Sequence, residues 1–170
     1  MELVFFTFVF AGLFVFLLSS RRSFSPRPRL TLVTTQTQHG ETTHYELEGK
    51  CYVVDGDTIT IGYQNIRLAG IDAPELDHPY GKKSKWYLVS LTKGHRVRAV
   101  FHGEQSYTRE VATCYLPDGR DLSAEMVKAG FAIDWPKFSG GKYRHLEPKD
   151  ARKKMWRADA RQKSRRLPHN

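Results

Sequence analysis

Between Val54 and Glu75 four charged residues stand where two short apolar runs begin and end. Asp57 opens the run Thr58-Ile59-Thr60-Ile61. Arg67 lies inside the run Ile66-Arg67-Leu68. Asp72 and Glu75 follow where that second run gives out. A core has no use for four charges there. Attack on a phosphodiester does: it needs a cation or cationic groups on the phosphate oxygens, an activated water, and something to stabilise the charge that develops. Asp57 and Asp72 offer hard oxygen ligands, suited to Ca²⁺ or Mg²⁺ rather than zinc. Glu75 is placed to act as general base or to hold the water. Arg67 and Arg109 can each fork onto phosphate oxygens, a geometry lysine lacks.

Each feature alone has a plainer reading. Asp-Gly-Asp-Thr is commonly just a turn, Asp-x-Pro-Glu a loop, and a strand arginine a surface charge. Their conjunction carries the chemistry. The stretch is not an EF-hand loop, which needs more acidic positions at set spacing.

The elements that must position these residues can be read in order. Tyr45–Val54 alternates as a strand, and Asp55-Gly56 signals a turn. Thr58–Ile61 buries Ile59 and Ile61, and the return strand buries Ile66 and Leu68. By this parity Asp57 shares a face with the isoleucines while Arg67 points the other way. A bulge or strong coiling is then needed to bring the two together. A proline-stiffened loop covers Asp72 to Pro79. Gly81–Leu91 reads as a helix, with Ser84, Leu88 and Leu91 on one face. Val97–Phe101 and Tyr107–Leu116 read as strands. Leu122, Met126 and Ala129 form a second helical stripe ending at Gly130, and Phe131–Trp135 is short enough for one more strand. Pro148 opens a third helix with Ala151, Met155 and Trp156 inward. This order predicts an α+β fold: a five-stranded OB-type barrel with about three packed helices. It excludes a doubly wound parallel sheet, which needs a helix after nearly every strand.

The 170 residues carry a net charge of +9, with eleven Lys/Arg against three Asp/Glu after residue 141. Such a balance favours a polyanionic partner, the plainer alternative being a solvated tail. The two cysteines, Cys51 and Cys114, form no C-x-x-C, and H-E-x-x-H is missing, so a zinc site is not expected. They are read as packed thiols or one disulfide. Residues 1–20 form a hydrophobic signal or membrane-anchor segment. Residues 21–43 form a linker, 44–157 the folded domain and 158–170 a basic tail.

Four motifs in order, Val54-Asp-Gly-Asp-Thr-Ile, Ile66–Glu75, Tyr107-Thr-Arg-Glu-Val-Ala112 and Asp121–Ala132, resemble those of the staphylococcal-nuclease-like (thermonuclease) family. The resemblance covers residues 45 to 157. It implies an OB barrel and Ca²⁺-dependent hydrolysis of DNA and RNA, single-stranded or unpaired by preference, leaving 3′-phosphate ends. It implies metal ligands at Asp57, Asp72 and the Ala73 carbonyl, a water-activating Glu75, and phosphate-binding Arg67 and Arg109. Tyr107 and Tyr143 are the candidate nucleotide-binding tyrosines. Thr108 stands where the family usually has glycine, which bears on how Arg109 is aimed. A catalytically weakened nucleic-acid-binding module is the alternative. Residues 3–20 imply export or anchoring outside the cytoplasm, although Arg21, Arg22, Arg27 and Arg29 behind the apolar run argue for the opposite orientation. A monomer is expected.

Overall fold

The computed structural model describes residues 27–37, 40–106 and 109–164, the side chains of 35–43 and 102–109 excepted. Tyr107, Thr108 and the apolar run at residues 3–20 lie outside the described residues. Of Arg109 only the backbone is described.

Seven strands form the main sheet: β1 (Arg29–Thr37), β2 (Gly40–Gly49), β3 (Cys51–Val53), β4 (Thr58–Ile61), β5 (Gln64–Leu68), β7 (Val97–Ser106) and β8 (Arg109–Tyr115). Their order is β1-β2-β7-β8-β5-β4-β3, antiparallel except where β5 runs parallel to β8. Strand β3 ends this order, whereas β2, its predecessor in the chain, lies next to last at the other side. The sheet therefore curls so that one run of chain, interrupted at Lys50, passes from one side of it to the other. A Cβ at Gly49 would stand 2.7 Å from Ile61 Cγ2, so the crossing strands approach within side-chain contact there. Ile59, Ile61, Ile66, Leu68, Ala99, Ala112 and Cys114 fill the interior, each at most 1% exposed.

Seven strands replace the five expected, for two reasons. The strand read as Tyr45–Val54 is split at Lys50. And β1 occupies part of the stretch read as linker. Its sequence Leu-Thr-Leu-Val-Thr-Thr suits a pleated strand, and it pairs with β2 from Arg29↔Glu48 to Thr37↔Gly40. Leu30 and Leu32 remain exposed on it, which is why burial patterning did not reveal it.

Helix α1 (Gly81–Thr92) buries Gly81, Ser84, Leu88 and Thr92, the i, i+3, i+4 face of an amphipathic helix. Helix α2 (Leu122–Lys128) starts at Asp121, whose carboxylate accepts from the Ser123 and Ala124 amides. Ser123 Oγ donates to the Ala69 carbonyl at 2.9 Å, tying α2 to the end of β5. A second, two-stranded sheet pairs β6 (Ile71–Asp72) with β9 (Ile133–Asp134). A single turn, α3 (Pro136–Ser139), follows. The expected third helix is present as α4 (Ala151–Lys154) and α5 (Trp156–Ser164), broken at Met155. Met155, Ala151 and Ala158 are buried against Ile133, whereas Trp156, expected inward, is exposed. Both cysteines are free thiols.

Gly56 fixes how closely the turn before β4 approaches the loop after β6. A Cβ there would lie 2.1 Å from Ser84 Oγ and 2.7 Å from Ala73 Cβ. Ser84 cannot yield easily, because its hydroxyl donates to the Phe131 carbonyl at 2.7 Å. Gly56→Ala should therefore destabilise the fold by about 1–3 kcal/mol in chemical denaturation, the usual penalty of an overpacked interior. Unchanged stability would show that the two loops can separate freely.

Candidate active site

Asp57 and Arg67 meet without a bulge in β4 or β5. Arg67 pairs across the sheet with Thr58, and the Leu68 amide donates to the Asp57 carbonyl at 2.8 Å. Alternation holds only from Thr58 onward. The turn before it, in which the Asp57 amide donates to Asp55 Oδ1 at 3.0 Å, releases the Asp57 side chain from the parity of the strand. The carboxylate then faces Arg67 in a two-point contact. Nη1 lies 3.1 Å from Oδ1 and Nη2 lies 2.8 Å from Oδ2. Thr58 Oγ1 and the Ala73 amide donate to the same carboxylate at 3.1 and 3.2 Å.

Asp57 is 5% exposed and Asp72 fully buried. Burial is the largest influence on both and raises both. Asp57 is pushed up to about 6 against the pull of Arg67. Asp72 is raised against the pull of Arg161 and Arg67. Asp72 is set in place by pairing with Ile133, since β6 hydrogen-bonds to β9. Trp135, one residue beyond β9, is buried and lays its ring 5.9 Å from the Arg67 guanidinium. Arg67 Nη2 is also 3.8 Å from Asp72 Oδ1, so it leans toward both aspartates.

The far side of the cluster carries a residue that strand and loop motifs did not suggest. Arg161, on α5, contacts Asp72 Oδ1 through Nη2 and Glu75 Oε1 through Nη1. The same Nη2 donates to the Ala73 carbonyl at 3.3 Å. Gln162 Nε2 lies 3.5 Å from Asp72 Oδ2. Glu75 is half-exposed at the mouth.

These contacts test whether the donors suit a cation. One nitrogen of Arg161 touches Asp72 Oδ1 and the Ala73 carbonyl together. The two oxygens therefore converge. Asp57 is linked to the same group through Arg67. Among the described residues no group of three or more His, Cys, Asp or Glu gathers to hold a metal. The set is instead two carboxylates and a carbonyl, hard donors that leave positions open to water and phosphate. It fits Ca²⁺.

Three of the expected site residues are not brought to this cluster by described side chains, and one of them, Tyr107, lies outside the described residues. The Arg109 backbone opens β8, one residue before Glu110, which pairs with Ile66 beside Arg67. Tyr143 is a correction. It is 3% exposed, its hydroxyl donates to Asp121 Oδ2 at 2.8 Å, and burial together with that carboxylate pushes it up to about 12. It packs in the core as a brace between α2 and the chain after α3, and offers no face to a nucleotide.

Residues 65–167 match the family described as staphylococcal nuclease homologue. The chain belongs to that family. A protein of Phaeosphaeria nodorum named Probable endonuclease LCL3 is 38% identical over 54% of the chain. One of Rhizobium meliloti named Succinoglycan biosynthesis protein ExoI is 34% identical over 51%, and Probable endonuclease lcl3 of Emericella nidulans is 37% identical over 46%. The matches span 37%, 51% and 34% of those proteins' own lengths. The α+β architecture with its mostly antiparallel sheet agrees with this membership.

Trp135 and Arg161 were missed for different reasons. Trp135 read as one more apolar position of a short strand. Arg161 fell in the stretch read as a basic tail, 158–170, and only α5, which runs on to Ser164 and docks beside β6, reveals its contacts.

Arg67 is the residue whose loss the nuclease-homologue fold should feel most directly. Arg67→Ala leaves a buried carboxylate unpaired, at a cost of about 3 kcal/mol near pH 7. The sign with pH follows from the raised pKa. Asp57 favours the folded state fully below its unfolded value of 3.8, and this support is lost as pH rises through about 6. Removing Arg67 raises the folded value further. The deficit of the variant should therefore be small at pH 4 and grow toward pH 7 in urea titrations. A deficit independent of pH would mean that Arg67 contributes packing alone.

Proposed function

We propose that this chain is a Ca²⁺-dependent endonuclease that hydrolyses phosphodiester bonds of DNA and RNA, preferring single-stranded or unpaired substrate and leaving 3′-phosphate ends. The observation that carries the reading is the gathering of Asp72, the Ala73 carbonyl and Glu75 on one cationic group, Arg161, with Asp57 joined to Asp72 through Arg67. Membership of the nuclease-homologue family and the names of two relatives support it.

In this reading Asp57, Asp72 and the Ala73 carbonyl hold Ca²⁺, which when bound neutralises phosphate oxygens. Glu75 accepts a proton from the attacking water as its oxygen bonds to phosphorus. The bond from phosphorus to the 5′ oxygen breaks, and the departing oxygen takes a proton from solvent water to end as a hydroxyl. Arg67, clamped between Asp57 and the Trp135 face, keeps its planar fork ready for the charge that builds on the equatorial oxygens. Arg109 takes the second phosphate role, and Tyr107 contacts the nucleotide. The apolar run at residues 3–20 delivers the domain by export or anchors it outside the cytoplasm, and the domain acts as a monomer.

A catalytically weakened nucleic-acid-binding module is the second reading, favoured by Thr108 where the family usually has glycine.

Glu75→Gln separates the two. Cleavage of single-stranded DNA should fall by about 10²–10⁴-fold, the usual contribution of a general base, while Ca²⁺ and oligonucleotide binding stay within a few-fold. Wild-type binding without turnover would favour the weakened module, and an undiminished Glu75→Gln rate would overturn the base assignment. Because Asp57 must be ionised to hold the cation, the rate at limiting Ca²⁺ should fall as pH drops below about 6. A rate flat from pH 5 to 8 would contradict the ligand role of Asp57.

A further inference from the structure

Arg161 stands on the groups that the proposed reading gives to the cation and to the water. Its Nη2 contacts Asp72 Oδ1 and the Ala73 carbonyl, its Nη1 contacts Glu75, and its Nε lies 3.4 Å from Asp72 Oδ2. Four of its contacts therefore fall on three successive functional groups of one loop. An ordinary surface arginine does not gather such a set. The side chain is about one-quarter exposed and reaches the cluster from its rim. It can leave without unpacking α5, because that helix is anchored by other means. Ala158 and Gln162 are buried. Arg152 locks the preceding turn, donating to Glu147 Oε2 at 2.9 Å, Asp159 Oδ1 at 2.7 Å and the Asp134 carbonyl at 3.0 Å.

Two cations cannot take the same oxygens at contact distance. Asp72, with no exposure to water, has Arg161 and Arg67 as its cationic neighbours. Resting on the reading above, we propose that Arg161 is a resident cation of the acidic cluster: it keeps Asp72 and Glu75 paired, must be displaced before a divalent ion can take Asp72 and the Ala73 carbonyl, and so sets the ion concentration the site requires. Displacement also frees Glu75, so the same exchange that admits the ion releases the group that handles the water. Competition is reciprocal: whatever holds Arg161 on the cluster weakens the ion, and the ion in turn loosens Arg161.

The test is calorimetric titration of the full chain with CaCl₂ at fixed ionic strength. Arg161→Ala should bind Ca²⁺ about tenfold more tightly than the wild type, within the usual range of coupling between linked sites. Lys163→Ala removes the same charge two positions along, from a side chain that pairs with Asp159 instead, and should change affinity by no more than about twofold. Arg161→Lys, which keeps the charge, should remain near the wild type. Arg161→Gln keeps a polar side chain of similar reach and covers the case in which the alanine variant frays α5. Affinity unchanged or weakened in both Arg161→Ala and Arg161→Gln, or raised equally by Lys163→Ala, would overturn the proposal. If the wild type cleaves with Ca²⁺ and Arg161→Ala binds no more tightly, Arg161 alone is misassigned. If neither protein binds Ca²⁺, the cation reading fails and the proposal with it.

Discussion

A carboxylate with almost no access to water needs a partner held in place, and for Asp57 that partner is Arg67. Much of the surrounding structure serves that pair. The Asp55–Asp57 turn frees the carboxylate from strand alternation, and Gly56 lets the turn press against Ala73 and Ser84. The small sheet of β6 and β9 brings Asp72 to the same cation and Trp135 to its face. Such a pair is a weak source of stability, because desolvation offsets most of the attraction. Its retention in a small domain is better explained by what the assembled charges can do.

The C-terminal surplus of positive charge is less free than its count suggests. Arg144 and Arg152 reach Glu147, Lys154 reaches Asp150, Lys163 reaches Asp159, and Arg161 turns into the cluster. Exposed pairs of this kind contribute little to stability and are screened by salt. They leave the net field positive all the same, since α4 and α5 carry six basic residues against one acidic one. The helix pair therefore presents a cationic surface of the kind that attracts a polyanion, while one of its arginines is committed inward.

The barrel core was legible because period-two alternation places Ile59, Ile61, Ile66 and Leu68 inward with no help from tertiary structure. The helix at Gly81 was legible from its stripe. The meeting of Asp57 with Arg67 was not, since parity rules end where a strand ends and Asp57 sits one residue outside β4. Strand β1 was hidden because its leucines are exposed, so it shows no buried face, only β-branched residues behind a Pro- and Arg-rich prefix. Tyr143 could not be told from a binding tyrosine by type alone, because its partner Asp121 lies 22 residues away and meets it only through packing. Arg161 is 86 residues from Glu75, and no local pattern encodes a contact at that separation.

The proposed phosphodiester hydrolysis requires the acidic cluster to work as a Ca²⁺ centre. The most direct measurement is release of acid-soluble fragments from single-stranded DNA by the wild-type chain, with Ca²⁺ and with excess chelator. Cleavage in Ca²⁺ that stops on chelation and returns when the ion is restored is the expected result. Cleavage that continues unchanged in chelator, or none under any divalent ion, would contradict it.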